Sequence, residues 1–352
     1  MTRTMRAARF HGVGEGVRVE EVPYPEPGPG EVVVAVAACG ICGSDVHFLE
    51  DVPVPGPLPM TLGHEAAGIV EALGEGVEGW TPGDRVALSL DGGCGTCRTC
   101  RAGSPNACLS LVVPGLHCDG AFAEALRVPA GGLVRVPDEV SLSSAAVATD
   151  CVATPFHALR CRGGLREGET VAVVGAGGLG SAAIALAGAL GAGRVVAVDR
   201  SEAALERAKR AGATTVLATP GEDPVPAVHE ATDGGADLVV ECVGTPETVS
   251  VGLRSLVQGG RLVAVGVGMQ PPPIDYPQAL FSLWELSVIG AFASHREDLE
   301  EVLALQAEGR IDIESWISHR VPLDGVVEGL EMLRTKRGDP QRVVMTTALA
   351  DT

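Results

Sequence analysis

Apolar and polar positions follow two different patterns along this chain. Through about the first 150 residues, short β-type segments are cut by proline and glycine, at 17–21, 31–38, 66–73, 85–89 and 122–128. Short apolar segments bounded by such punctuation read as strands and turns, so they predict an irregular β barrel. Pro23, Pro25, Pro27 and Pro29, then Pro53, Pro55, Pro57 and Pro59, belong to loops or edges because each lacks a ladder donor.

From Thr154 onward the pattern becomes short apolar runs separated by Ala/Leu-rich helical segments, with strands expected at 171–174, 195–198, 215–217, 237–242, 261–266 and 286–290. Continuously apolar strands alternating with helices indicate a parallel sheet covered on both faces. The order predicts a doubly wound α/β domain. An amphipathic helix at 297–307 is followed by mixed segments at 316–321, 323–333 and 342–346. This tail is expected to rejoin the first domain, which would then be discontinuous: 1–153 with 295–352, enclosing 154–294.

Composition narrows the function. The chain has 352 residues, 46% of them hydrophobic and 20% charged, with a net charge of −19. A chain this acidic repels phosphate backbones, and its aromatic content of 3% leaves little for base stacking, so nucleic acid is not an expected partner. The stretch 182–192 is too short to span a bilayer and contains Gly188 and Gly191. Arg3, Arg6 and Arg9 open the chain, but Gly12, Gly14, Glu15 and Gly16 stand where a signal peptide needs its apolar core. A cytoplasmic protein is expected.

Ten cysteines in such a chain read as metal ligands or buried thiols rather than a disulfide framework. Cys94, Cys97, Cys100 and Cys108 follow one another at x2, x2 and x7, which suits closed tetrahedral coordination of a structural zinc. A ferredoxin-type cluster run would continue x3-C-P, whereas here the fourth cysteine comes later and precedes Leu109. Cys39, Cys118, Cys151, Cys161 and Cys242 are expected to be small buried residues.

The run at 171–174 leads into Gly175-Ala176-Gly177-Gly178-Leu179-Gly180 and then a helix. Between strand and helix, this spacing marks a dinucleotide turn: Gly175 for the sharp bend, Gly177 for approach of the pyrophosphate, Gly180 for close packing of helix on strand. Asp199 ends the next strand, 24 residues after Gly175, where an acid binds the ribose hydroxyls. Its alternative reading is a cap on the following helix. A carboxylate there favours NAD over NADP, and the neighbouring Arg200 weakens that preference.

Cys42-Gly43-Ser44-Asp45 and Gly63-His64-Glu65 place a thiolate, an imidazole and carboxylates in the β-rich half. A catalytic zinc takes three protein ligands and keeps one position open. With these two motifs, the four-cysteine run, Asp150 followed by Thr154-Pro155-Phe156, and the 175–180 turn, the chain resembles the zinc-dependent medium-chain alcohol dehydrogenases over nearly its whole length, closest in pattern to bacterial secondary-alcohol dehydrogenases.

The resemblance implies a GroES-like barrel domain, a Rossmann domain, and an active site in the cleft between them. It implies two zinc ions per chain, the catalytic one on Cys42, His64 and Asp150, with Glu65 a nearby or transient ligand and Asp45 the partner of the histidine. Asp150 stands four residues before Thr154, where many relatives carry cysteine; Cys151 is one position off. Thr154 would contribute to the cofactor site. Ser44 and His47 match the hydroxyl and histidine that relay the alcohol's proton to solvent. The implied reaction interconverts small or medium secondary alcohols and ketones by hydride transfer to NAD, in a homotetramer or homodimer. A polyol or amino-alcohol dehydrogenase of the same family is the nearest alternative; a non-catalytic NAD(P)-binding sensor or an iron–sulfur carrier is more remote.

Overall fold

A computed structural model describes residues 3–50, 52–218, 221–271, 274 and 276–351. The chain divides into two compact units, Met1–Ala153 with Ala293–Thr352, and Thr154–Phe292.

The first unit is built on a seven-stranded sheet. Its path runs Ile317–Val321, Arg342–Thr346, Glu31–Ile41, Glu65–Leu73, Arg85–Leu88 and Leu133–Arg135, and Ala125–Pro129 also pairs with Glu31–Ile41. The eleven-residue central strand is the longest in the sheet and is almost wholly buried, because its EVVVAVAACGI sequence carries β-branched and small residues for both faces. A smaller sheet joins Val17–Pro23, Thr4–Phe10 and Met60–Thr61. Phe10, Phe122, Met60, Leu62 and Ile41 fill the core against the two sheets. Thr4–Phe10 is a strand that the arginine-rich opening did not predict: Ala7, Ala8 and Phe10 are buried while Arg6 reaches outward to Glu124 and Asp324.

One buried helix of this unit matters for the site. Leu142–Val147 packs on the strands Glu31–Ile41 and Glu65–Leu73, and all six of its residues are buried. Its first turn is capped by Ser141, whose hydroxyl accepts the Ser144 amide at 3.0 Å, a cap worth about 1 kcal/mol. Both serine hydroxyls donate to Glu314 at 2.7 Å. The helix then widens into a π turn, Ala148–Val152.

The second unit holds six parallel strands in the order Thr215–Ala218, Arg194–Asp199, Thr170–Val174, Ala236–Glu241, Leu256–Ala264 and Ser287–Gly290. Numbered along the chain this is 3-2-1-4-5-6, the order of the Rossmann dinucleotide fold. Val171, Ala172, Val173, Val196, Val239 and Val240 are wholly buried, as strands covered on both faces require.

No disulfide forms among the described cysteines. Cys39 and Cys151 are buried as expected, but Cys118 and Cys242 are only half-buried and Cys161 is exposed, so the reading of all five as interior residues fails for these three. No described helix is long and apolar enough to cross a membrane.

Candidate metal centres and dinucleotide turn

Cys42 follows the central strand Glu31–Ile41 and opens into the helix Gly43–Glu50. His64 precedes the strand Glu65–Leu73 and is held by Gly63, whose φ of +91° suits only glycine without strain. A side chain on Gly115 or Gly120 would collide with the Gly63 carbonyl, so three backbone segments meet at the residue before His64. Asp150 comes from the π turn, a feature that often marks functional positions in helices.

These elements bring one ligand atom each from Cys42, His64, Glu65 and Asp150 to within 4.8 Å of one another. His64 Nε2 lies 3.4 Å from Asp150 Oδ2, and Cys42 Sγ lies 3.8 Å from the same oxygen. Zinc–ligand lengths of about 2.0–2.3 Å give tetrahedral edges of about 3.3–3.8 Å, so the donors are already spaced for the ion. His64 Nδ1 faces the wholly buried Asp45 at 3.7 Å, and Asp45 Oδ2 accepts the Cys42 amide at 2.9 Å. Asp45 thus connects two donors through backbone and side chain.

Electrostatics fit a cation as well. Burial opposes protonation of His64, but the Asp45 and Asp150 carboxylates outweigh it and raise its pKa well above the usual value. Burial pushes the Cys42 thiol up despite His64, and pushes Glu65 up despite the neighbouring Arg342. Every shift reduces negative charge, which a divalent ion among these donors would compensate instead.

Glu65 points over Gly40, its partner in the sheet register, where any Cβ would strike the carboxylate. There it meets the buried Arg342 guanidinium, which donates to Glu65 Oε2. Arg342 starts the strand that pairs with the other edge of Glu31–Ile41. Sequence reasoning missed it: a single arginine before Val-Val-Met carries no motif. Cys151 is buried beside the ligands, its thiol pushed up by burial to about 12, and its sulfur is not among the converging donors. On the helix Gly43–Glu50, Ser44 is half-buried with its hydroxyl 3.8 Å from Cys42 Sγ, and His47, one turn on, is exposed.

The four sulfurs of Cys94, Cys97, Cys100 and Cys108 also converge within 4.8 Å. Cys97 Sγ lies 3.4 Å from Cys100 Sγ and 3.7 Å from Cys108 Sγ, close to the edge of about 3.8 Å expected for four thiolates on zinc. Backbone amides of Cys100 and Ser110 point at sulfur, at 3.5 and 3.3 Å. The Thr96 hydroxyl and backbone bring the Cys94 thiol down to about 6, while burial sends Cys100 up to about 12.

In the second unit, Gly175 has a φ of +90° and a side chain on Gly180 would run into its carbonyl. Gly177 caps the helix Gly178–Ala189 and is exposed, with open space where a Cβ would stand. Gly178 and Leu179 form the first turn behind it. Asp199 Oδ2 accepts the Ala176 amide at 2.7 Å and Oδ1 accepts the Ser201 amide at 2.8 Å. The carboxylate is thereby fixed beside the glycine turn. Ser201, not Asp199, caps the next helix, so the capping alternative for Asp199 does not hold. Arg200 is exposed, and Thr154 is buried in the helix Ala153–His157.

The chain is similar to known proteins over nearly its whole length. Residues 28–138 match the alcohol dehydrogenase GroES-like domain, and residues 178–308 match the zinc-binding dehydrogenase domain. An NAD-dependent alcohol dehydrogenase of Sulfurisphaera tokodaii is 33% identical over 97% of this chain and 100% of its own. An acryloyl-coenzyme A reductase of Metallosphaera sedula is 36% identical over 97% and 100%. The solved alcohol dehydrogenase TADH of Thermus sp. ATN1 is 38% identical, covers 97% of this chain and 99% of its own, and superposes with a TM-score of 0.90. The chain belongs to the zinc-dependent medium-chain dehydrogenase family of oxidoreductases, with a GroES-like and a Rossmann domain.

Proposed function

We propose that this protein is a zinc-dependent, NAD-preferring dehydrogenase that interconverts small or medium secondary alcohols and their ketones. The observation that carries the reading is the convergence of Cys42, His64 and Asp150 at tetrahedral spacing in a chain that also holds a Rossmann glycine turn. Cys42, His64 and Asp150 would hold the catalytic zinc, with Glu65 adjacent, and the four cysteines of the 94–108 loop a structural one. Bound there, zinc supplies Lewis-acid polarisation that brings an alcohol hydroxyl towards ionisation near neutral pH.

The chain's own residues do the rest. Asp45 orients His64 and keeps its Nε2 turned to the donor cluster. Ser44 accepts the alcohol's proton, and His47, one helical turn away and exposed, hands it to water. Gly177 admits the pyrophosphate, Gly178 and Leu179 offer helix N-terminal amides, and Asp199, already held by two backbone N–H groups, accepts from the ribose hydroxyls. With Arg200 pointing to solvent, that acid favours NAD over NADP.

The protein is further proposed to act as a homodimer or homotetramer in the cytoplasm. Support for association comes from Ser287–Gly290, an edge strand whose Val288 is exposed, as is Leu283 of the preceding helix. Reduction of NAD⁺ and NADP⁺ by the zinc-loaded protein, screened against secondary alcohols, primary alcohols and polyols, tests the reading. Fastest turnover with secondary alcohols and NAD⁺ is expected. Preference for a polyol would move the substrate class, and no turnover with any alcohol would overturn the reading.

A further inference from the structure

Glu241 ends the strand Ala236–Glu241 and is wholly buried. Its Oε1 accepts two backbone amides of the following loop, Val243 at 2.7 Å and Gly244 at 2.8 Å. Its Oε2 is also buried and has no partner among the described residues. The Glu241 carbonyl meanwhile accepts the amides of Val265 and Gly266 at 2.8 and 3.0 Å. A buried carboxyl group with an unsatisfied oxygen costs stability, and such costs persist where a local geometry is under functional demand.

The geometry in question is a junction of three segments at the C-terminal edge of the sheet, where ligands of open α/β folds bind. The Cys242 amide donates to the Val174 carbonyl at 2.9 Å, directly before the glycine turn. A side chain on Gly175 would run into Val243, and one on Gly244 would come to 2.7 Å from the backbone of Gly266 and Val267. Val243 and Val267 are 44% and 65% exposed, so the junction presents apolar side chains outward beside the turn.

We infer that Glu241 is a positioning residue for the dinucleotide: from beneath, it holds the 242–245 loop at fixed distance from the 175–180 turn and the 265–268 loop. It touches no ligand itself. The inference rests on the dehydrogenase reading, since it presumes that the glycine turn binds a dinucleotide.

Glu241→Gln keeps an acceptor for both amides, Glu241→Asp withdraws it by one methylene, and Glu241→Ala removes it. NADH and NADPH affinities of the zinc-loaded full-length proteins are measured by titration well below their melting temperatures, together with kcat at saturating NAD⁺. We expect the Ala and Asp variants to lose about tenfold in NADH affinity, equivalent to about 1.4 kcal/mol, while Gln stays within about threefold. Because the affected step is binding, kcat should not fall in proportion. If the Ala variant does not fold, the Asp variant carries the test. NADH affinities of the folded variants within about twofold of wild type, even with lowered melting temperatures, would make Glu241 a purely structural brace and overturn the inference. Wild type that binds neither dinucleotide would overturn the dehydrogenase reading and this inference with it.

Discussion

Arg342 and Glu65, each the first residue of its own strand and 277 positions apart, form a buried ion pair against Gly40 of the central strand. Burial alone opposes the charge on Arg342, yet Cys151, Glu65 and Cys42 together raise its pKa above the ordinary arginine value. Arg342→Ala would leave a buried carboxylate uncompensated, which typically costs about 3–5 kcal/mol. Urea denaturation should show a loss of that size, and pairing the change with Glu65→Gln should recover part of it. Additive losses in the double variant would show that the two side chains do not interact.

A half-buried pair gives a pH-dependent expectation in the Rossmann unit. Arg261 grips Glu169 with two nitrogens, at 3.1 and 2.6 Å. Burial pushes the Glu169 carboxyl up, but the bonds from Arg261 and the Arg166 amide prevail and lower its pKa. A pKa lower folded than unfolded means stability that is present above the unfolded value of about 4.3 and is lost as pH falls through the folded one. The melting temperature of Glu169→Gln should therefore lie below wild type by a constant interval from pH 7 to about pH 5. Below about pH 4 the interval should close. A gap that stays constant into acid would assign the loss to packing.

Cofactor preference turns on one carboxylate. Asp199→Gly removes the group fixed by Ala176 and Ser201 and takes away the charge that repels a 2′-phosphate. The ratio of kcat/KM for NAD⁺ over NADP⁺ should fall by about tenfold or more, the scale of a lost charged hydrogen bond. A wild-type enzyme that prefers NADP⁺ would point to Arg200 as the dominant contact.

What could be read from the sequence was whatever is local. The 175–180 turn, the cysteine spacing at 94–108, and the Cys42 and His64 motifs each lie within one stretch of chain, and so did the apolar strands of the parallel sheet. What escaped depends on contacts between distant segments. Arg342 acquires its partner only when its strand pairs with Glu31–Ile41, and Gly40 is needed only because Glu65 lies across it. The Thr4–Phe10 strand hid behind its arginines, of which Arg6 finds its partners, Glu124 and Asp324, far along the chain. The π turn that carries Asp150 has no sequence signature in Ala-Thr-Asp-Cys-Val.

The proton path is open to a kinetic test. His47→Gln removes the exposed end of the relay while leaving the donor cluster untouched, so kcat/KM for alcohol oxidation should fall near neutral pH and recover as hydroxide becomes available. Superimposable pH profiles for wild type and variant would show that the proton leaves by another route.

The central claim is that Asp150, carried by the π turn, completes a catalytic zinc site with Cys42 and His64. Zinc content and NAD⁺-linked alcohol oxidation, measured on wild type, Asp150→Asn and Cys151→Ser, test it most directly. The account predicts two zinc ions per chain in wild type, loss or weakening of one ion together with turnover in Asp150→Asn, and near wild-type metal content and turnover in Cys151→Ser. Full zinc and activity in Asp150→Asn, with loss of both in Cys151→Ser, would contradict it and move the ligand by one residue.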